Sequence, residues 1–343
     1  IGSEATVRPI AFLKSHTTTG RFIVPPGKDR IMVTHERARF GKNTDARSVI
    51  SIATVLIAMT IAPSGVAVGA ESDRPFPTVQ IIPIPDDRAS FEVNGDEKLR
   101  YHYPKRYNRP YWFPLVGPAG RSVTRITHPR DPNSHSHHKS IWISHHDVNG
   151  HDFWSDRGGT RVVHDLILAY EDGTESATMA VRNKWLAPDG KRGATEERAA
   201  RLVPLGDGEL YMDIRLKFTA TDGPVTFGKT PFGFLGVRVA KTMGVHDGGG
   251  MIRNSVGAVG EKDILWKRAR WVDYSGPIAP GEVNGITLMD HPGNPRHPTY
   301  FHVRGDGWMG ASFCYEEPYK LAADESLSKA RWPCGWPKAG TIW

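Results

Sequence analysis

Asp-Gly pairs punctuate the chain at Asp172-Gly173, Asp189-Gly190, Asp207-Gly208, Asp222-Gly223, Asp247-Gly248 and Asp306-Gly307, each beside a run rich in Val, Ile, Leu, Thr and aromatics. The pair favours tight hairpin turns because glycine, and more weakly aspartate, tolerates positive φ. The clearest run between such turns is Glu209 to Ala220. There Leu210, Met212, Ile214, Leu216 and Phe218 share one face, and Tyr211, Asp213, Arg215, Lys217 and Thr219 the other. Arg161 to Tyr170 and Ala177 to Trp185 alternate in the same way. Twenty-six prolines and thirty-six glycines leave little room for a long helix. The chain therefore reads as all-β, one large antiparallel β-sandwich with no repeat or linker to divide it.

The first seventy residues read differently. An apolar stretch, Val49 to Ala62, is too short to span a bilayer comfortably. Arg37, Arg39, Lys42 and Arg47 precede it and the small residues Val68-Gly69-Ala70 follow, the three-part pattern of a secretory signal peptide. Met32 is a natural start and Glu71 a natural mature N-terminus. Residues 1–70 are thus expected to be an N-terminal extension with a signal peptide, and residues 71–343 a single exported domain, periplasmic or extracellular, without a membrane span. Residues 1–70 carry nine Lys or Arg against four Asp or Glu, so they hold +5 of the net +7 and leave +2 for the rest. So balanced a domain has no electrostatic footprint for nucleic acid. Cys314 and Cys334 lie in the exported part, where a disulfide is permitted, and neither has zinc-site spacing.

The stretch His135 to Trp154, HSHHKSIWISHHDVNGHDFW, holds six of the fifteen histidines and three Trp or Phe rings. Titratable groups among aromatics are costly to bury without partners, which marks the segment as a site. Pro129 to Ser134 reads as a loop feeding a strand through Ser140 to Ser144. In an extended chain His135 and His137 would share a face, with His138 on the reverse and His145 in line with His137. His137, His138 and His145 are the candidates for chemistry, while His135, His146 and His151 read as solvated loop residues.

Two chemistries suit these residues. One is acid and base work by a histidine with a carboxylate, for which Asp147, Asp152, Asp290, Glu261 and Glu316 are available. The other is metal ligation, with His137, His145 and His291 joined by Asp290, or with His302. Flat faces of Trp142, Trp154 or Trp271 can stack on a sugar ring, while polar groups bind its hydroxyls. Trp185, Trp266 and Trp308 read as packing residues.

Five ordered segments carry a family likeness: PYWFPLVGPAGRSVTR (Pro110 to Arg125), the histidine block, VTFGKTPFGFLGVRVA (Val225 to Ala240), RNSVGAVGEKDILWKRARWVDYSG (Arg253 to Gly276) and DHPGNPRHPTYFHVRGDGWMGAS (Asp290 to Ser312). Together they resemble a bacterial family filed as PmoA-family proteins, or "methane oxygenase PmoA", over roughly Phe91 to Leu327. The oxygenase label suits long membrane helices, which this chain lacks after Ala70. At fold level the chain is similar to the galactose mutarotase and aldose epimerase group, which implies a supersandwich. The likeness also implies a histidine, His137 or His138, as general acid on a sugar ring oxygen with a glutamate as base. Glu261, Glu316, Glu317 and Glu325 are the glutamates open to that role.

The leading expectation is an exported carbohydrate-active protein that needs no cofactor and takes a small-molecule or oligosaccharide ligand. His137, His138, His145, Asp290 and His291 are its expected reactive groups. Trp142, Asp147, Asn149, Trp154, Glu261, Arg296 and His302 are its expected substrate contacts. The alternatives are a metal-dependent, histidine-ligated oxygenase or hydrolase, and a non-catalytic sugar-binding or envelope module. After Leu327 the prolines and glycines of SKARWPCGWPKAGTIW are expected to interrupt the closing strand, leaving an exposed sheet edge and no functional weight on Cys334.

Overall fold

The computed structural model describes residues 76–127 and 135–335, with the side chains after Ser328 left aside. The expectations for the signal segment and for the loop before His135 fall outside these residues. No helix among the described residues is long and apolar enough to cross a membrane.

Nineteen strands run through the described residues. The first five are β1 (Val79–Ile84), β2 (Arg88–Val93), β3 (Asp96–His102), β4 (Tyr111–Leu115) and β5 (Ile141–His145). A long meander follows: β6 (Arg161–Glu171), β7 (Ala177–Leu186), β8 (Arg192–Pro204) and β9 (Leu210–Thr219). Next come β10 (Val225–Phe227), β11 (Gly233–Arg238), β12 (Met251–Asn254), β13 (Lys267–Arg268), β14 (Trp271–Ala279) and β15 (Glu282–Met289). The last are β16 (Tyr300–Arg304), β17 (Trp308–Ser312), β18 (Tyr319–Leu321) and β19 (Ser326–Gly335).

The expected antiparallel all-β sandwich forms. One sheet has the order β1-β2-β3-β4-β5-β11-β17-β16-β13 and the other β12-β14-β15-β19-β9-β8-β7-β6, while β10 and β18 make a small ribbon. Of the six Asp-Gly pairs, four join strands that pair with one another (β6 to β7, β7 to β8, β8 to β9 and β16 to β17), Asp222-Gly223 leads from β9 to β10, and Asp247-Gly248 falls in a single helical turn, Val245–Gly248. Along β9 the residues at 210, 212, 214, 216 and 218 are all buried, as the alternation requires. β7 alternates strictly as well. β6 does not: it is an edge strand with register shifts after His164 and Ile167, which turn Leu166 and Leu168 toward solvent.

The closing strand corrects the expectation of an interrupted C-terminus. β19 pairs with β9 over most of its length after a register shift between Leu327 and Ala330, and sits inside the sheet rather than exposing an edge. Among the described residues its neighbour β15 pairs with it only at Cys334 and Gly335. Pro333 is therefore matched on one side alone, the edge-like setting in which a proline is tolerated.

Sheet order positions the site. β5 and β17 flank β11 and both run antiparallel to it, so they are parallel to one another and begin at the same end of the sheet. The turn before β5, the end of β11 at Arg238 and the turn before β17 at Asp306 consequently meet. Trp142 on β5 lies over Gly236 on β11, where a Cβ would come within 2.4 Å of the indole, so only glycine leaves room for that ring.

Candidate functional site

Residues 135–138 form a turn rather than the start of a strand, with the His138 N–H donating to the His135 carbonyl at 2.9 Å. The expected face assignment is corrected by this turn, which gathers His135, His137 and His138 instead of alternating them. Neighbouring groups pin its backbone. The Thr127 hydroxyl sits on the carbonyls of His135 and His138, 2.9 Å from the latter. Arg109 donates to the His137 carbonyl at 3.1 Å and to those of Phe153 and Trp154 at 2.9 and 2.8 Å, and pairs with Asp156 at 3.1 Å. A buried guanidinium thus ties the histidine turn to the 153–156 segment.

The rings converge. His135 and His138 stack at 4.5 Å between centroids, and His137 meets His138 edge-on at 4.4 Å. His138, 1% exposed, also stacks on Trp142 at 4.9 Å and lies 5.2 Å from Trp308. From Trp308 the row of rings continues to His302 at 4.2 Å and on to Trp266 at 5.8 Å. Trp142, Trp154 and Trp308 are buried against one another, whereas Trp266 is 41% exposed. The exposed flat face is therefore Trp266, read from sequence as packing, and not Trp142 or Trp154.

Asp306 supplies the acidic partner. Its carboxylate lies 3.0 Å from His135 Nε2 and 3.2 Å from Arg238 Nη1. Burial pulls the Asp306 pKa upward, but the His135 bond and the Arg238 charge outweigh it and hold the group below the usual carboxylate range. Burial lowers His137 to about 4, helped by the Arg109 charge, and sets His138 well below the free imidazole value with its two histidine neighbours adding to the effect. His137 and His138 are thus neutral imidazoles at neutral pH, each with a lone pair able to accept a proton or bind an electrophile.

Among the other expected residues, His302 joins this ring row and the rest lie elsewhere. His145 is in the core, its Nε2 donating to the Gly228 carbonyl at 3.0 Å and its ring against Phe227 and Phe234. Ser140, at φ 58, has reset the strand's phase. Asp290 is buried in the turn after β15, accepting from Asn294, His297 and Thr299, and burial raises its pKa despite these bonds. His291 accepts the Gly293 N–H in the same turn.

Asp147 caps Gly150 N–H at 2.8 Å, and Asn149 accepts from Thr226 N at 2.7 Å, so both fasten a turn. Arg296 donates to the carbonyls of Phe313, Glu317 and Pro318 and braces that loop. Glu261 accepts the Gly305 N–H at 2.6 Å and pairs with Arg304, which steadies the turn carrying Asp306. Sequence reasoning missed Asp306, Arg238, Arg109 and Thr127, and dismissed His135. The one signal for Asp306 was its Asp-Gly pair, which was read as a turn alone.

A family profile described as "Family of unknown function (DUF6807)" matches residues 88–330, and the chain belongs to that family. This corrects the resemblance drawn from the five motifs, since no PmoA family profile matches, and the separate fold-level likeness to the mutarotase group, drawn from the sandwich and its histidine-bearing loop, is not borne out by the family match either. A search of curated proteins finds no match.

Proposed function

We propose that this DUF6807 member is an exported enzyme acting on a carbohydrate-class small molecule or oligosaccharide, with the His135–His138 turn as its reactive centre. The observation that carries the reading is the convergence of three imidazoles with a carboxylate 3.0 Å from one of them. Asp306, 3.0 Å from Nε2 of His135, orients that ring and leaves Nδ1 as the nitrogen facing away from the carboxylate. Neutral imidazoles so placed serve as proton acceptors for a hydroxyl or for water. The row His138, Trp308, His302 and Trp266 leads from this centre to an exposed indole suited to the apolar face of a sugar ring. Export rests on the basic, apolar and small-residue series ending at Ala70.

Calorimetric titration of the purified chain with mono- and disaccharides tests this directly. Saturable binding is expected, weakened about fivefold by Trp266→Ala for a stacking contribution near 1 kcal/mol. His137→Ala is expected to retain binding and lose turnover. Silence toward every sugar at millimolar concentration contradicts the reading, and unchanged turnover in His137→Ala moves the chemistry away from the turn.

A further inference from the structure

We infer that His135, His137 and His138 hold a divalent first-row transition-metal ion. The inference rests on the turn being the reactive centre and adds the cofactor that the centre uses. Three observations independent of one another point to it.

The first is geometric. One ring nitrogen from each of the three histidines lies within 4.8 Å of the others. Imidazole nitrogens about 2.1 Å from a tetrahedral ion stand about 3.4 Å apart, so ring rotation of the order of an ångström closes the set. The backbone that carries the rings is already held by Thr127 and Arg109.

The second is an orphan. Nδ1 of His138 is buried and has no hydrogen-bond partner among the described residues. A buried polar atom left this way is unfavourable, and a metal ion shared with the neighbouring imidazoles would satisfy it.

The third is the arrangement around His135. A ligating histidine commonly donates its other ring N–H to a carboxylate, which fixes the ring and raises its basicity. His135 does this through Nε2 to Asp306, and Asp306 is itself held by Arg238. Imidazole sets suit Zn²⁺, Cu²⁺, Ni²⁺ or Fe²⁺. Three protein ligands leave a position for water or a substrate oxygen, the form a metal site takes when it activates water for hydrolysis.

The test uses chelator-stripped full chain titrated with Zn²⁺ by calorimetry, and with Co²⁺ by visible absorption. One ion per chain is expected, with the intense d–d bands of a low-coordinate cobalt site. His137→Ala should lose at least tenfold in affinity, and Asp306→Asn should lose about 10- to 100-fold as an orienting partner. His146→Ala, an exposed histidine outside the turn, should match the parent. Thermal melts establish that each variant is folded. A stoichiometry of zero, or an affinity untouched by His137→Ala, overturns the metal site. Sugar binding and turnover that persist in the stripped protein leave the reactive-centre reading standing while the metal fails. Tight metal binding without any sugar ligand does the reverse.

Discussion

Acidification from about pH 6.5 to about 4 is expected to destabilise the fold by roughly 3 kcal/mol through His145 alone. Its ring lies wholly inside the sandwich, with Nε2–H committed to the Gly228 carbonyl and Nδ1 buried without a partner among the described residues. Protonation would place an uncompensated charge against Phe227 and Phe234, and burial accordingly lowers the pKa to about 4. The folded-state value is depressed below the unfolded one, so the unfolded chain binds the extra proton first. Stability is therefore full above the unfolded value near 6.5 and drains away as the pH falls to the folded value. His302, also lowered to about 4 by burial, adds in the same direction. Denaturant melts across this range should show the slope, and His145→Gln, which keeps a donor for Gly228, should reduce it by about one proton. A slope unchanged in that variant would assign the acid sensitivity to other groups.

Arg198→Met is expected to cost about 3–5 kcal/mol, the effect of stranding one member of a buried ion pair. Arg198 and Glu196 both project inward from β8 and are essentially inaccessible to solvent. Arg198 Nε donates to Glu196 Oε1 at 2.5 Å, Trp185 Nε1 donates to Oε2 at 2.7 Å, and the guanidinium lies over the Trp112 ring. Removing the cation leaves a carboxylate deep in the core with the indole bond and a long 3.5 Å contact from the Asn183 amide, and no compensating charge. The double variant Glu196→Gln, Arg198→Met keeps an acceptor for Trp185 and discards both charges, so it should recover most of the loss. Midpoints of guanidinium unfolding at constant m-value decide the matter. A single variant within about 1 kcal/mol of the parent would mean that water reaches the pair.

The strand scaffold was legible because its signal is local. Period-two burial along Leu210 to Phe218 and glycine at positive φ in the turns are written residue by residue. What escaped reading was whatever depends on partners distant in the chain. Pro333 looks like a strand breaker until β15 is seen to stop pairing beside it. His145 looks aligned with His137 until Ser140 adopts positive φ and sends it into the core. The dense histidines pointed to the turn where three rings converge, but Asp306 and Arg238 come to it only because β5 and β17 begin at the same end on either side of β11. No periodicity along the sequence encodes that neighbourhood.

The reactive centre and the metal site both require His135, His137 and His138 to form one cluster under Trp142. Nuclear Overhauser contacts in histidine- and tryptophan-labelled protein on a deuterated background measure it most directly. All three histidine pairs should show ring-to-ring contacts, consistent with centroid spacings of 4.4, 4.5 and 5.9 Å, and His138 should also contact Trp142. Rings that contact only their own backbone neighbours would contradict the cluster and, with it, both the reactive centre and the metal site.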